Sequence, residues 1–153
     1  MGAIRMNELS DLVKEQVSTH RIIKAKKFAE GAHQDQMYGN HLYMYHLNMV
    51  SALVSMFGEE ARILAYLHDV VEDTEVTLPI ISNEFGYRMM IMVDLITDPS
   101  GKNRKEKKLE MNKRLSSLDP LSAEDIHRLV LIVKTADRLA NTYTCIEEKN
   151  KWI

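Results

Sequence analysis

Apolar and polar positions alternate at helical spacing over most of the chain. From Glu8 to Ala32 they read as two amphipathic helical runs, with Ile22, Ile23, Ala25, Phe28 and Ala29 on one apolar face. Gly31 to His41 is polar and holds Gly39-Asn40, a turn signal. Leu42 to Phe57 returns to the helical period through Leu47, Val50, Leu53, Val54 and Phe57, and Gly58 is placed to end it. Glu59 to Asp73 reads as one short, mostly apolar helix that carries His68, Asp69, Glu72 and Asp73. Thr77 opens a further helix with Pro79 in its first turn, where a missing N–H costs nothing. Gly86 breaks the pattern before the apolar run from Met89 to Ile96. Asp98-Pro99-Ser100-Gly101 is the clearest loop, and the charged helix KNRKEKKLEMNKR follows with Leu109 as its apolar anchor. Asp119-Pro120 closes that helix. Ser122 with Asp125 three residues on looks like a capping box for a last helix from about Ala123, with Leu129, Ile132, Val133, Ala136, Leu139 and Ala140 facing inward. No repeat, low-complexity tract or linker interrupts the pattern, which predicts one all-α domain over Met1–Ile153.

Composition narrows this picture. A hydrophobic fraction of 45% and a charged fraction of 27% exclude a disordered or fibrous chain. Six Gly and three Pro are few for the turns of a sandwich or barrel. The net charge of −2 gives no global field to hold a nucleic-acid backbone, so a nucleic-acid partner is not expected. The lone cysteine, Cys145, has no partner for an internal disulfide and fits a reducing compartment. No uncharged apolar stretch approaches about 18 residues, and the opening residues lack the apolar run of a signal peptide. A cytoplasmic location without a membrane partner is the expectation. Met89, Met90 and Met92 read as adaptable core filling.

The chemistry concentrates in a few polar residues that interrupt apolar helices. His68-Asp69 lies among Ile63, Leu64, Ala65, Leu67, Val70 and Val71. Neighbouring helix positions differ by about 100°, so the two side chains can converge at the edge of an apolar face. Glu72 and Asp73 follow them at i, i+4, and so many buried carboxylates would be costly without a compensating cation. A solvent-facing helix end is the plainer reading of this pair. His46 lies between Tyr43 and Tyr45, where a satisfied, half-buried histidine is the plain explanation, and Asp137 has Arg138 beside it as a structural ion-pair partner. Taken together, His46, His68, Asp69 and Asp137 offer two imidazoles and two carboxylates from three helices. That mixed donor set suits Mn²⁺, with Fe²⁺ as a competitor, better than a closed structural Zn²⁺ site.

The segments FAEGAHQDQMYGNHLYMYHLNMV, LHDVVEDTEVTLPIISNEFG and VKTADRLANTYT resemble, in order and spacing, the hydrolase domain of the RelA/SpoT alarmone enzymes. They are still more similar to the single-domain small alarmone hydrolases of the HD phosphohydrolase superfamily, over roughly Ala25 to Thr144. The resemblance implies an all-helical domain that holds one Mn²⁺ through His46, His68, Asp69 and Asp137. It implies that Glu72 and Asp73 position the nucleophilic water. The implied reaction removes the 3′-pyrophosphate of guanosine tetra- or pentaphosphate. Asn141 and Thr144 match positions that line the nucleoside pocket, and Lys134 matches a family lysine three residues before the aspartate.

The chain departs from that pattern around Gln36. The family carries an arginine two residues later that packs on the guanine base, whereas this loop is one residue shorter and reads Gln36-Met37-Tyr38-Gly39. Tyr38 can stack on a purine in its place or serve as packing. Leu47 follows His46 where proline is typical. The run Lys102, Arg104, Lys105, Lys107 and Lys108 is the dense basic patch. It is either a solvated face paired with Glu106 and Glu110, or a funnel for a polyanionic nucleotide in which Lys102, Arg104 and Lys105 bind substrate. The expected function is a metal-dependent nucleotide pyrophosphohydrolase. A phosphatase of another 2′- or 3′-phosphorylated nucleotide, such as NADPH, is the alternative within enzymes. A non-catalytic domain that senses an alarmone or a metal is the alternative outside them.

Overall fold

The structure is a computed structural model and describes residues 6–99, 103–122 and 124–148. The first element, α1, runs unbroken from Met6 to His33, where the sequence pattern suggested two runs. No glycine or proline stands between Met6 and Glu30, and Gly31 falls in the last turn, so nothing breaks the backbone ladder. Ile22, Ala25, Phe28 and Ala29 face the core, but Ile23 is on the solvent side. After Gln34, in left-handed backbone, a small hairpin pairs β1 (Met37–Tyr38) with β2 (His41–Leu42). The expected turn at Gly39-Asn40 joins them, with Gly39 at φ 58.

Helix α2 (Tyr43–Leu53) follows at once, and a single 3₁₀ turn over Ser55–Phe57 leads to Gly58 at φ 95. The next segment differs from its reading as one helix. It splits into α3 (Glu59–Leu67) and a short α4 (Val70–Asp73), with His68 and Asp69 in the turn between them. The change is local. His68 Nδ1 lies 2.7 Å from the carbonyl oxygen of Ala65, the acceptor that an unbroken helix would give to the N–H of Asp69. The imidazole occupies that acceptor where the backbone leaves the helix, with Asp69 at φ −108 and ψ −3.

Helices α5 (Leu78–Phe85) and α6 (Tyr87–Ile96) pack on each other on either side of Gly86. Helix α7 (Arg104–Ser116) starts at Asn103, whose side chain accepts from Glu106 N–H. Its anchor is Met111, 1% exposed, and not Leu109, 55% exposed. Met111 is buried where α7 turns to the cleft beside α8, Leu115 packs partly on the core one turn later, and Leu109 faces neither. The last helix, α8, runs from Ile126 to Glu147. Ser122 does not cap it. The chain turns into it through Asp125 in left-handed backbone, and no side chain caps the end. Leu129, Val133, Ala136 and Ala140 face inward as expected and Ile132 packs partly, while Leu139 is exposed.

Helix α3 is the centre of the molecule. Its polar residues, Glu59, Glu60 and Arg62, lie in the first half, every residue from Ile63 to Leu67 is buried, and the helix packs against α1, α2, α6 and α8. A stretch that is hydrophobic on all sides is stable only when covered on all sides. Its buried C-terminal end therefore delivers His68 into the interior, where α2 and α8 also cross. Met89 and Met92 fill the same core. Among the described residues no helix is long and apolar enough to cross a membrane.

Candidate active site

Three crossing elements bring four side chains to one point. His46 comes from the middle of α2, His68 and Asp69 from the break after α3, and Asp137 from the middle of α8. One ligand atom from each lies within 4.8 Å of all the others. His46 Nε2 is 3.0 Å from Asp137 Oδ1 and 4.0 Å from Asp69 Oδ2. His68 Nε2 is 2.9 Å from Asp69 Oδ2 and 3.4 Å from Asp137 Oδ1. Both histidines are 1% exposed. The solvent-facing reading of the His-Asp pair does not hold, because the His68 ring is buried, and both rings point at carboxylates in the interior. Nor does Arg138 pair with Asp137. Its guanidinium is exposed and donates to Asn112 Oδ1 at 2.9 Å.

The donor set fits a divalent ion, and His68 supplies the observation. A carbonyl only accepts, so Nδ1 of His68 carries the proton it gives to Ala65, and Nε2 presents its lone pair to two carboxylates. That arrangement calls for positive charge at the centre, either a proton on Nε2 or a metal ion. Burial disfavours a charged His68, yet Asp69 and Asp137 outweigh burial and hold its pKa well above the ordinary value. Burial likewise works to raise Asp69 and Asp137, but the imidazoles hold both below the ordinary carboxylate range. An ion with ligand bonds of about 2.1 Å places adjacent ligand atoms about 3 Å apart and opposite ones about 4.2 Å apart. The four separations fall between 2.9 and 4.0 Å.

Outer partners orient these ligands. Asn141 Nδ2 donates to Asp137 Oδ1 at 3.1 Å, and Tyr38 O–H donates to Asn141 Oδ1. Lys134 Nζ sits between Asp98 Oδ1 at 3.0 Å and Asp137 Oδ2 at 3.8 Å. Tyr43 O–H lies against both Asp69 Oδ2 and Asp73 Oδ2. The Tyr43 ring is held from the other side by His33, stacked at 4.4 Å, and His33 Nδ1 is 2.9 Å from Gln36 Oε1. Tyr43, His33 and Asp98 escaped the sequence reading, since only the folded chain brings Tyr43 to Asp69 and His33 onto Tyr43. These supports matter because metal ligands are aimed by their hydrogen bonds.

Asp137 opens into a cleft of about 1090 Å³ that also receives Tyr38, Glu72, Asp98, Lys134, Asn141 and Thr144. The two acids expected to act together are neighbours at the end of α4 and point different ways. Glu72 lines the cleft, whereas Asp73 turns to Tyr43. Burial, then the charges of Asp98, Asp69 and Asp73, push the Glu72 carboxyl up to about 7, with Lys134 pulling the other way. Asp73 is raised too, first by burial. Tyr38 is pushed up to about 12, mainly by burial, and stays a neutral donor.

Of the basic residues singled out, Arg104 reaches the cleft, Lys105 does not, and Lys102 lies outside the described residues. Lys107, Lys108 and Arg138 line the cleft in their stead. The missed signal is helical phase. Arg104, Lys107, Lys108 and Met111 share one face of α7, and Lys105 points about 110° from the middle of that face.

No family model matches the chain. The guanosine-3′,5′-bis(diphosphate) 3′-pyrophosphohydrolase of Borreliella burgdorferi is 30% identical over 134 residues, 86% of this chain and 20% of that protein. The GTP pyrophosphokinase rsh of Brucella melitensis is 32% identical over 147 residues, 92% of this chain and 19% of that protein. The chain thus spans about a fifth of the length of the curated relatives it matches. A solved structure described as a metazoan orthologue of SpoT that hydrolyzes ppGpp superposes with a TM-score of 0.69 at 23% identity, over 83% of this chain and 71% of that one. The chain resembles the HD-domain hydrolases of the RelA/SpoT type. The HD-type fold accounts for the order of the site residues, in which a His on one helix precedes a His-Asp pair at a helix end and an Asp on the last helix.

Proposed function

We propose that the chain is a metal-dependent nucleotide pyrophosphohydrolase that removes the 3′-pyrophosphate of guanosine tetra- or pentaphosphate. One observation carries this reading. A buried set of two imidazole nitrogens and two carboxylate oxygens opens through Asp137 into a cleft lined by Glu72 and by Arg104, Lys107, Lys108 and Arg138. The hydrolase name of the relative from Borreliella burgdorferi supports it. A reducing, cytoplasmic setting suits the single cysteine, and the partner is a small nucleotide.

His46, His68, Asp69 and Asp137 would hold one divalent ion, Mn²⁺ or Fe²⁺ by their mixed nitrogen and oxygen donors. When bound, such an ion neutralises phosphoryl oxygens and makes water a stronger nucleophile at neutral pH. Glu72, on the cleft and with a pKa near 7, takes the proton of the attacking water. Attack at the phosphorus next to the 3′ oxygen breaks that P–O bond and releases pyrophosphate. The 3′ oxygen takes up one proton and leaves as a hydroxyl. The cationic side chains of α7 and Arg138 hold the phosphate oxygens, whose charge suits Arg and Lys. Lys134 and Asn141 keep Asp137 aimed.

The test is a panel assay of the purified protein with Mn²⁺ against guanosine tetraphosphate, NADPH and simple nucleoside phosphates. Release of pyrophosphate from guanosine tetraphosphate alone is the expected result. Phosphate release from NADPH alone would transfer the function to the phosphatase alternative. Binding without turnover of any of them would leave a sensor.

A further inference from the structure

The β1–β2 ladder consists of two residue pairs, Met37 with Leu42 and Tyr38 with His41. A ladder that short does not hold itself together in water, so its position must be fixed from outside. The fixing group at the turn is Glu148, the residue after α8. Its side chain is 5% exposed. Glu148 Oε1 accepts a hydrogen bond from Asn40 N–H at 2.9 Å and lies 3.8 Å from His41 Nε2. A Cβ built on Gly39 would collide with the Glu148 carboxylate, and Gly39 sits at φ 58. The backbone angle favours glycine there, and any Cβ would displace the Glu148 carboxylate from the turn. Burying a carboxylate costs free energy unless hydrogen bonds offset it, so this one is held in place by the turn as much as it holds the turn.

On the inner side of the same hairpin stands Tyr38. Its hydroxyl donates to Asn141 and its ring lies on His46 with centroids 4.5 Å apart. Among the described residues that line the cleft, Tyr38 is the aromatic one. The hairpin is thus tied to α8 at Asn141 and at Glu148, two turns of helix apart, with Tyr38 between the ties and the metal-site histidine.

We propose that Glu148 is a positioning residue for nucleotide recognition, which clamps the Gly39-Asn40 turn to the end of α8 and so holds Tyr38 as the aromatic wall for the nucleoside. The inference rests on the nucleotide-hydrolase reading above. Glu148 touches no reacting atom and acts through Tyr38. Aromatic–base contact is sequence-tolerant and worth enough per base to be read as affinity.

The probe is guanosine 5′-diphosphate, which has the base and the 5′ phosphates but no 3′ ester, so calorimetry on the full chain reads binding without turnover. Glu148→Ala should weaken binding about tenfold. Glu148→Gln retains a side-chain oxygen for Asn40 N–H and should bind within about twofold of wild type. The double variant Tyr38→Ala with Glu148→Ala should bind no more weakly than Tyr38→Ala alone, because the two act in series. Should Glu148→Ala lose its fold, Gly39→Ala carries the test, since crowding the turn off Glu148 should cost the same affinity. Four results overturn the clamp: no binding by wild type, wild-type affinity in Glu148→Ala or Gly39→Ala, losses that add across Tyr38 and Glu148, or no rescue by Gln. Pyrophosphate release by wild type judges the hydrolase reading separately. Absent release with the expected affinity series refutes hydrolysis and sustains the clamp, whereas normal release with unchanged affinities refutes only the clamp.

Discussion

Glu72→Gln keeps the size and hydrogen bonding of the side chain and removes its capacity to take a proton. A base whose pKa is held at about 7 is roughly half ionised at neutral pH. Only the ionised form accepts the proton of water, so wild-type kcat should climb about tenfold from pH 6 to pH 8. Glu72→Gln should lower kcat by about 10²–10⁴ and flatten that limb. Asp98 is the largest of the charges that raise Glu72, and Asp98→Asn should move the limb to lower pH. A divalent ion beside Asp69 pulls in the same direction, so the limb is compared among variants at one saturating Mn²⁺ concentration. Stability gives an independent reading with its own sign. The folded-state pKa of Glu72 is raised above its ordinary 4.5, so its contribution is complete below that value and lost as pH rises through about 7. The Tm of Glu72→Gln relative to wild type should therefore increase across that window, measured in metal-free buffer. A kcat equal to wild type in Glu72→Gln, or a pH limb that survives the substitution, refutes Glu72 as the base.

Three other outcomes follow from the same geometry. His68→Ala should abolish stoichiometric Mn²⁺ by elemental analysis and remove the rise in Tm that added Mn²⁺ gives wild type, because an ion bound only to the folded state stabilises it; retention of both sinks the ligand assignment. Joint replacement of Arg104, Lys107 and Lys108 by Gln should raise KM and weaken its dependence on salt, whereas Lys105→Gln should change neither, since Lys105 does not line the cleft. Equal effects from both sets would return α7 to a solvated face. Met111→Ala should cost about 2–5 kcal/mol in chemical unfolding and Leu109→Ala less than about 0.5 kcal/mol, as the first side chain is buried and the second exposed. The reverse order would contradict the phase of α7.

Helical period and the four ligand types were legible in the sequence because both are local. An acid or imidazole amid Leu, Ile and Val, as at His68, Asp69 and Asp137, needs a partner wherever the helix packs. Helix continuity and the exact phase of α7 were less legible. At the His68-Asp69 break an imidazole occupies one backbone carbonyl, which no propensity encodes. In α7 a single buried Met outweighs a more hydrophobic-looking Leu, because Met111 lies on the face turned to the cleft and Leu109 does not. Residues that join the site through space were not legible at all. Tyr43 reaches Asp69 and Asp73 across 26 and 30 residues, and Glu148 reaches Asn40 across 108. The sequence by itself determined an all-helical chain and the residues able to hold a cation. Only the tertiary structure decided that Glu72 faces the cleft while Asp73 faces Tyr43, because the direction of each side chain is set by where the backbone turns and by what packs against it.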